Sequence, residues 1–396
     1  MADSAGDPRS TASQDGRIDV SMFTPWHARC GVRDYAAHLI SALDTLPQIG
    51  AIRVVAAPED AARNGIASVL SHHPADSRRF QRLGREMNAG ASVAHIQHQY
   101  FLFGGVAPFR THIKAFLNEL KVPAVMTVHE IAAEGSGFLN RRLVSAANRI
   151  NFVHPSIKAL IVHTEADRQR LWSMGLPQER VHLIRHPIPP AQTMPDREAA
   201  RRALDRMYPS LRGRRIITLF GFLSNKKGHM IALPAMTYLP DDFALLFAGD
   251  QHPDDHTDYV STLHAEVERL ELDQRVVFTG YVAEDLVPII MAATDIAIAP
   301  FLRTSGSGSL ANLFAYGRAV IASDIEPHRE LLAEAPGVLS LVPPLNPEAL
   351  AAEIVALARD DARREGLSRA ALAYAARNSY VEMARETVRV YDEVMR

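Results

Sequence analysis

The feature that most limits what this chain can fold into is an alternation run twice. Short apolar segments alternate with stretches of helical period, which is the pattern of a parallel sheet with crossover helices. In the first half, the apolar runs Ile18–Phe23, Ala51–Ala56, Val93–Gln97, Ala124–His129, Leu160–His163 and Val181–Arg185 read as strands. Val32, Tyr35, Ala36, Leu39, Ile40 and Leu43 recur at helical spacing. Thr111–Leu120 and Glu165–Met174 read as further helices. A proline-punctuated stretch, HPIPPAQTMPD from His186 to Asp196, then interrupts the pattern as a stiff connection.

Beyond it the alternation resumes. Arg215–Phe220, Ala244–Ala248, Val276–Thr279, Ile296–Ala299, Ala319–Ala322 and Gly337–Leu341 read as strands. Lys227–Met236, Asp258–Leu270, Leu286–Ala292, Gly308–Tyr316 and Pro347–Ala358 read as helices, and the chain closes on Glu382–Met395. The expected fold class is α/β, with two Rossmann-like doubly wound domains facing a central cleft. Residues 1–16 are small and polar and read as a disordered tail. The domains are expected over 17–190 and 191–379, with 380–396 as a helix returning to the first.

Composition narrows the function classes. The 396 residues carry 43 Lys plus Arg against 45 Asp plus Glu, a net charge of −2, so no global field draws the chain to nucleic acid. A single cysteine, Cys30, excludes an internal disulfide framework and a cysteine-rich zinc site. With no apolar span of membrane length and no signal sequence, a cytoplasmic location is expected.

Ligands of doubly wound sheets bind at the carboxyl ends of strands, so the loops there carry the chemistry. The first, Thr24 to Gly31, offers Gly31 near a helix N-terminus that favours an anion, with Arg29 and Arg33 as added charge. An ordinary strand-to-helix turn is the plain alternative. The second is a strand ending in His129 and Glu130, where a histidine can bond a hydroxyl or phosphate or move a proton; a structural histidine is its alternative. The third, Phe220 to His229, places Gly221, Ser224, Lys226 and Lys227 at a strand–helix junction without the spacing of a Walker loop, with a solvated basic turn as the alternative. The fourth follows Ile296–Pro300. Arg303, Thr304, Ser305, Gly306, Ser307, Gly308, Ser309 and Asn312 form a Ser/Gly-rich loop opening a helix, which suits a diphosphate. The run Asp250 to Asp258 reads as a solvated acidic loop rather than a metal site.

In this order the segments resemble GT-B fold glycosyltransferases, and specifically family 4 (group 1), over about residues 17–395. Pro25–Tyr35 is similar to the family's Gly-rich loop and helix, and Val125–Glu130 to its strand ending in His. Gly221–Gly228 is similar to its lysine loop, Phe278–Val282 to its nucleobase segment, and 296–324 to its donor signature. The resemblance implies a nucleotide-diphosphate sugar as co-substrate, no other cofactor and no metal. Gly31 would approach the donor, His129 would touch the transferred sugar, and Lys227 would pair with the diphosphate. Tyr281 and Val282 would line the base. Two family glutamates are replaced, by Thr304 and Asn312, and the basic residue five before the lysine falls at Phe222.

The expected activity is transfer of a hexosyl group to an acceptor hydroxyl, retaining and metal-independent. The acceptor class is left open among a glycan, a lipid-linked and a small-molecule acceptor. A non-catalytic nucleotide-sugar-binding partner and a sugar-nucleotide epimerase are the alternatives. Peripheral membrane contact is a further expectation. It rests on the apolar loop Phe101–Gly105 with Arg78, Arg79, Arg82 and Arg85, and with Arg141, Arg142 and Arg149.

Overall fold

A computed structural model describes residues 16–28, 30–57, 74–105, 111–132, 138–251, 257–304 and 307–396. The tail 1–15, Arg29, Ser305, Gly306 and the acidic stretch 252–256 lie outside the described residues. Among those described, one compact unit comprises the chain to Val162, Arg168–Ile184 and Ala384–Arg396; a second comprises His163–Asp167 and Arg185–Met383.

The first unit holds a six-stranded sheet. Its strands are β1 Ile18–Thr24, β2 Ile49–Ala56, β3 Val93–His98, β4 Ala124–Val128, β5 Ile157–Val162 and β6 Val181–Leu183, ordered β2-β1-β3-β4-β5-β6. Every pairing is parallel. Helices therefore cover both faces, and β3 and β4 are buried along their whole length. On one face Ala94, Ile96 and Met126 pack with Phe23, Phe103 and Phe116.

The second unit repeats the scheme. Strands β7 Arg215–Phe220, β8 Phe243–Ala248, β9 Val276–Phe278, β10 Ile296–Ala299, β11 Val320–Ser323 and β12 Ser340–Val342 form a parallel sheet ordered β12-β11-β10-β7-β8-β9. Strand order reverses at β7/β10, which is where a doubly wound sheet opens a crevice. The expected pair of doubly wound α/β sheets is what forms.

Local boundaries differ where the backbone intervenes. The expected helix Lys227–Met236 is cut in two. Asn225–Lys227 is a 3-10 turn, Gly228 takes φ +77, and the helix runs over His229–Ala235. A side chain at Gly228 would overlap the Pro300 carbonyl, so glycine is required for this approach. The expected strand Gly337–Leu341 begins only at Ser340, because Gly337 at φ +80 cannot sit in a ladder. The helix expected over Thr111–Leu120 spans Ile113–Leu117. The final helix starts at Tyr380, two residues earlier than its period suggested.

The apolar loop Phe101–Gly105 is drawn largely inward. Leu102 and Phe103 are fully buried in the core of the first unit, stacked among Phe23, Phe80 and Phe116. Of the arginines beside it, Arg82 pairs with Glu86 at 3.7 Å and Arg85 with Glu119 at 3.2 Å. Among the described residues no helix is long and apolar enough to cross a membrane.

Candidate functional site

The second unit gathers its candidate residues on adjacent parallel strands. The loops after β7, β8, β9 and β10 leave neighbouring carboxyl ends, so Gly221–Gly228, Gly249–Gln251, Thr279–Val282, Pro300–Thr304 and Ser307–Ser309 crowd one edge of the sheet. Backbone bonds hold them together. Leu302 N–H donates to Lys226 O at 2.9 Å, and Leu223 N–H to Asp250 O at 2.8 Å. Gly249 N–H donates to Thr279 Oγ1 at 3.0 Å.

Lys227 lies at the centre of this edge. Its Nζ donates to Ser309 Oγ at 2.7 Å and to Ser307 Oγ at 3.3 Å, and sits 4.3 Å from the centroid of the Phe301 ring. Among the described residues no carboxylate pairs with it. Loss of hydration pushes its ammonium down to about 7. The rings around it are not cations either. Burial lowers His186 and His229 to about 3 and also lowers His328, and the nearby Lys227 charge lowers each further. A desolvated lysine that meets, among the described residues, hydroxyls and a ring face is able to take an anion as its partner.

The hydroxyls belong to a helix N-terminus. Ser307 caps the helix Gly308–Ala315 by accepting from Leu310 N–H, which leaves first-turn amides of that helix at the same edge. Gly221, at φ +109, lets the helix approach, since a Cβ there would overlap Ser309 Oγ. Ser224 contributes its carbonyl, which accepts from Lys227 N–H at 3.0 Å and from His229 Nδ1 at 3.2 Å.

The other donor-loop residues are less drawn in. Arg303 is exposed and Thr304 half-buried. Asn312 Nδ2 donates to Gly308 O at 2.8 Å within its helix. Tyr281 is 58% exposed at the carboxyl end of β9, and Val282 packs against the core behind it.

In the first unit, Gly31 opens the helix Gly31–Asp44, next to the β1/β3 reversal. A Cβ there would meet nothing within 4 Å, and Cys30 makes no side-chain cap, so space and uncapped amides coincide. Arg33 is engaged locally: it pairs with Asp34 at 3.0 Å and lies over Trp26 at 5.8 Å. His129 follows β4, with Nε2 2.8 Å from Gln97 Oε1 and its ring edge-on to Tyr35 at 4.7 Å.

Several supporting residues escaped the motif reading. Gln97, His95 and Tyr391 form a buried polar chain behind His129. Tyr100 and Asn148 clamp the loop beyond it, as Ala132 N–H donates to Tyr100 Oη at 3.0 Å and Asn148 Nδ2 donates to Ala132 O at 3.2 Å. The available signal was the polar run His95-Ile-Gln-His-Gln99 inside an otherwise apolar strand pattern. Among the described residues no group of three or more His, Cys, Asp or Glu side chains is placed to hold a metal ion.

Comparison with known proteins agrees with this geometry. Residues 214–360 match the family model described as glycosyl transferases group 1. A 2-deoxystreptamine glucosyltransferase of Streptomyces kanamyceticus is 30% identical over 145 residues, which is 34% of this chain and only 35% of that protein's length. Among solved structures, Anabaena HepE in complex with UDP and glucose superposes with a TM-score of 0.70 at 16% identity, over 95% of this chain and 100% of that one. A glycosyltransferase of Rickettsia africae gives 0.72 at 14% identity, over 96% and 99%. A sucrose-phosphate synthase of Thermosynechococcus elongatus gives 0.68 at 16%, over 96% and 99%. At these identities the structural likeness speaks for the fold. The chain therefore has the GT-B fold of two Rossmann-like units, and its segment 214–360 matches the group 1 glycosyl transferases.

Proposed function

We propose that this chain is a glycosyltransferase of family 4 that moves a hexosyl group from a nucleotide-diphosphate sugar to a hydroxyl of a glycan, lipid-linked or small-molecule acceptor. The observation that carries the reading is Lys227, a poorly hydrated ammonium held by Ser307 and Ser309 at a helix N-terminus with no carboxylate partner among the described residues. A diphosphate supplies the missing negative charge.

In the reaction, the acceptor oxygen bonds to the anomeric carbon as the bond from that carbon to the phosphate oxygen breaks. The electron pair goes to the departing diphosphate, and with retention of configuration the acceptor proton passes to a leaving phosphate oxygen. Charge therefore grows on the diphosphate, where Lys227 and the helix amides of the Gly308–Ala315 segment stabilise it. A lysine in this position can take the part a divalent ion would otherwise play. His129 keeps the role implied by the resemblance, contact with the transferred sugar. Thr304 and Asn312, at positions where the family has glutamates, hydrogen-bond sugar hydroxyls without adding negative charge.

HepE was solved with UDP and with UDP-glucose, which makes UDP-sugars the first probes to try. The experiment measures nucleotide release from a panel of sugar nucleotides, with and without candidate acceptors, in wild type and Lys227→Ala. Acceptor-dependent release that falls at least tenfold in the variant supports the reading, since a charge-assisted hydrogen bond is worth about 1.5–3 kcal/mol. An unchanged rate removes Lys227 from the mechanism. Tight binding without release across the panel replaces the transferase with a binding partner.

A further inference from the structure

The helix Gly31–Asp44 buries Val32, Tyr35, Ala36 and Leu39 against the first unit. Tyr35 follows Gly31 by four residues, so the two share one side of the helix, Gly31 at its open end and Tyr35 one turn further in. The Tyr35 side chain reaches the carboxyl end of β4. There its hydroxyl is hydrogen-bonded to the Thr127 side chain, and its ring stands edge-on to His129, with centroids 4.7 Å apart and planes at 86°. Residues two apart in an extended run turn to one face, which is how a single tyrosine meets both.

The two ends of this contact differ in freedom. Tyr35 is 3% exposed and Thr127 is fully buried, so water does not compete for their hydrogen bond. Burial pushes the Tyr35 phenol up, which keeps it neutral and able to share its proton with Thr127. Thr127 is held in turn, since its Oγ1 lies 2.8 Å from His95 Nε2, and His95 Nδ1 lies 2.5 Å from Tyr391 Oη. His129 is half-buried at the strand end, with Nε2 2.8 Å from Gln97 Oε1. A hydrogen bond places one ring atom, whereas a ring packed edge-on restricts the whole plane.

We propose that Tyr35 is a positioning residue for His129: anchored through its hydroxyl on Thr127, it holds the imidazole plane at the angle in which His129 meets the transferred sugar. The inference rests on the reading of His129 as a sugar-contacting residue. It adds that the helix opening at Gly31 also sets the histidine, so two candidate contacts of the first unit keep a fixed spacing. Misplacing a group at the reaction centre by about 1 Å can cost about a hundredfold in rate, so a buried anchor for the ring has a catalytic consequence.

The test is a double-mutant cycle on the full chain, reading kcat and KM for nucleotide release with the best donor of the sugar-nucleotide panel. Tyr35→Leu should lower kcat about tenfold with little change in KM. Tyr35→Phe keeps the ring and should retain most of the wild-type kcat. Tyr35→Leu placed in a His129→Ala background should lose nothing further, because the residue it positions is gone. A merely structural tyrosine would instead lower both backgrounds equally, and that result overturns the proposal. So does Tyr35→Phe as slow as Tyr35→Leu, or Tyr35→Leu at the wild-type rate while His129→Ala is slow. Wild-type kcat in His129→Ala removes the role of His129 itself, and no release from any donor ends that reading and the proposal with it. Should Tyr35→Leu fail to fold, Tyr35→Met takes its place. If neither folds, a nuclear Overhauser contact between the Tyr35 and His129 ring protons in wild type decides: its presence supports the proposal and its absence overturns it.

Discussion

Ser309 Oγ accepts a 2.7 Å hydrogen bond from the Lys227 ammonium, and the same oxygen stands where a side chain on Gly221 would have to be. Two loops that are far apart in sequence, the one carrying Gly221 and Lys227 and the one carrying Ser309, thus depend on one hydroxyl. The glycine is needed so that the serine can come close, and the serine gives the lysine an acceptor where, among the described residues, no carboxylate does.

That arrangement costs stability in the absence of an anion. Lys227 titrates at about 7 in the folded chain against an ordinary 10.5. The unfolded chain therefore binds more protons between those values, and stability rises as pH climbs from 7 toward 10. Lys227→Met should remove this slope and stabilise the chain at pH 7 by about 1 kcal/mol or more, since an unpaired charge gives way to an apolar chain of similar length. Thermal melts from pH 6.5 to 10 check it; a variant less stable than wild type at pH 7 contradicts the picture.

Nucleotide binding should take up protons. A bound diphosphate raises the Lys227 value above 7, so wild-type affinity for UDP should fall as pH goes from 7 to 9, by up to tenfold per pH unit. Below 7 the lysine is already protonated and this dependence vanishes. Calorimetry in two buffers of different ionisation enthalpy reads the uptake directly. Lys227→Met should bind with no uptake and with an affinity lower by about tenfold or more.

Gly221→Ala should destabilise the second unit by about 1–3 kcal/mol, from the strained φ of +109 and the overlap with Ser309. Pairing it with Ser309→Gly removes the overlap but not the strain, so the double variant should recover part of the loss. A double-mutant cycle by urea unfolding measures the coupling, and additivity would show that the two residues do not meet.

Tyr100→Phe should cost about 1–2 kcal/mol and loosen the loop that follows His129. The phenol donates to Asn148 Oδ1 and accepts from Ala132 N–H, and both partners are left without it in the variant. Hydrogen exchange at the Ala132 amide should rise well before global unfolding. Protection equal to wild type would mean the clamp is redundant.

Much of the architecture could be read from the pattern of residues. The six strand runs of the second half each overlap an observed strand, and Pro347–Ala358 forms the helix its period indicates, with Asn346 as its cap. Such patterns are local: apolar runs buried on both faces and capping residues act within a few positions. The glycines at 221 and 228 and the Ser/Gly loop were visible as places where a ligand or backbone must come close. Their partners were not.

Where each polar side chain spends its bonds belongs to tertiary structure. Arg33, a candidate diphosphate ligand, also pairs with Asp34 and lies over the Trp26 ring, contacts that no motif shows. Phe101–Gly105 reads from sequence as an apolar loop, and the fold places Leu102 and Phe103 of it in the core. Gln97 carried no motif at all, because its contact with His129 comes from the register of β3 against β4. Strand and helix periods follow from neighbours in sequence. Charge balance, tautomers and desolvation follow from neighbours in space, and only the folded chain brings those together.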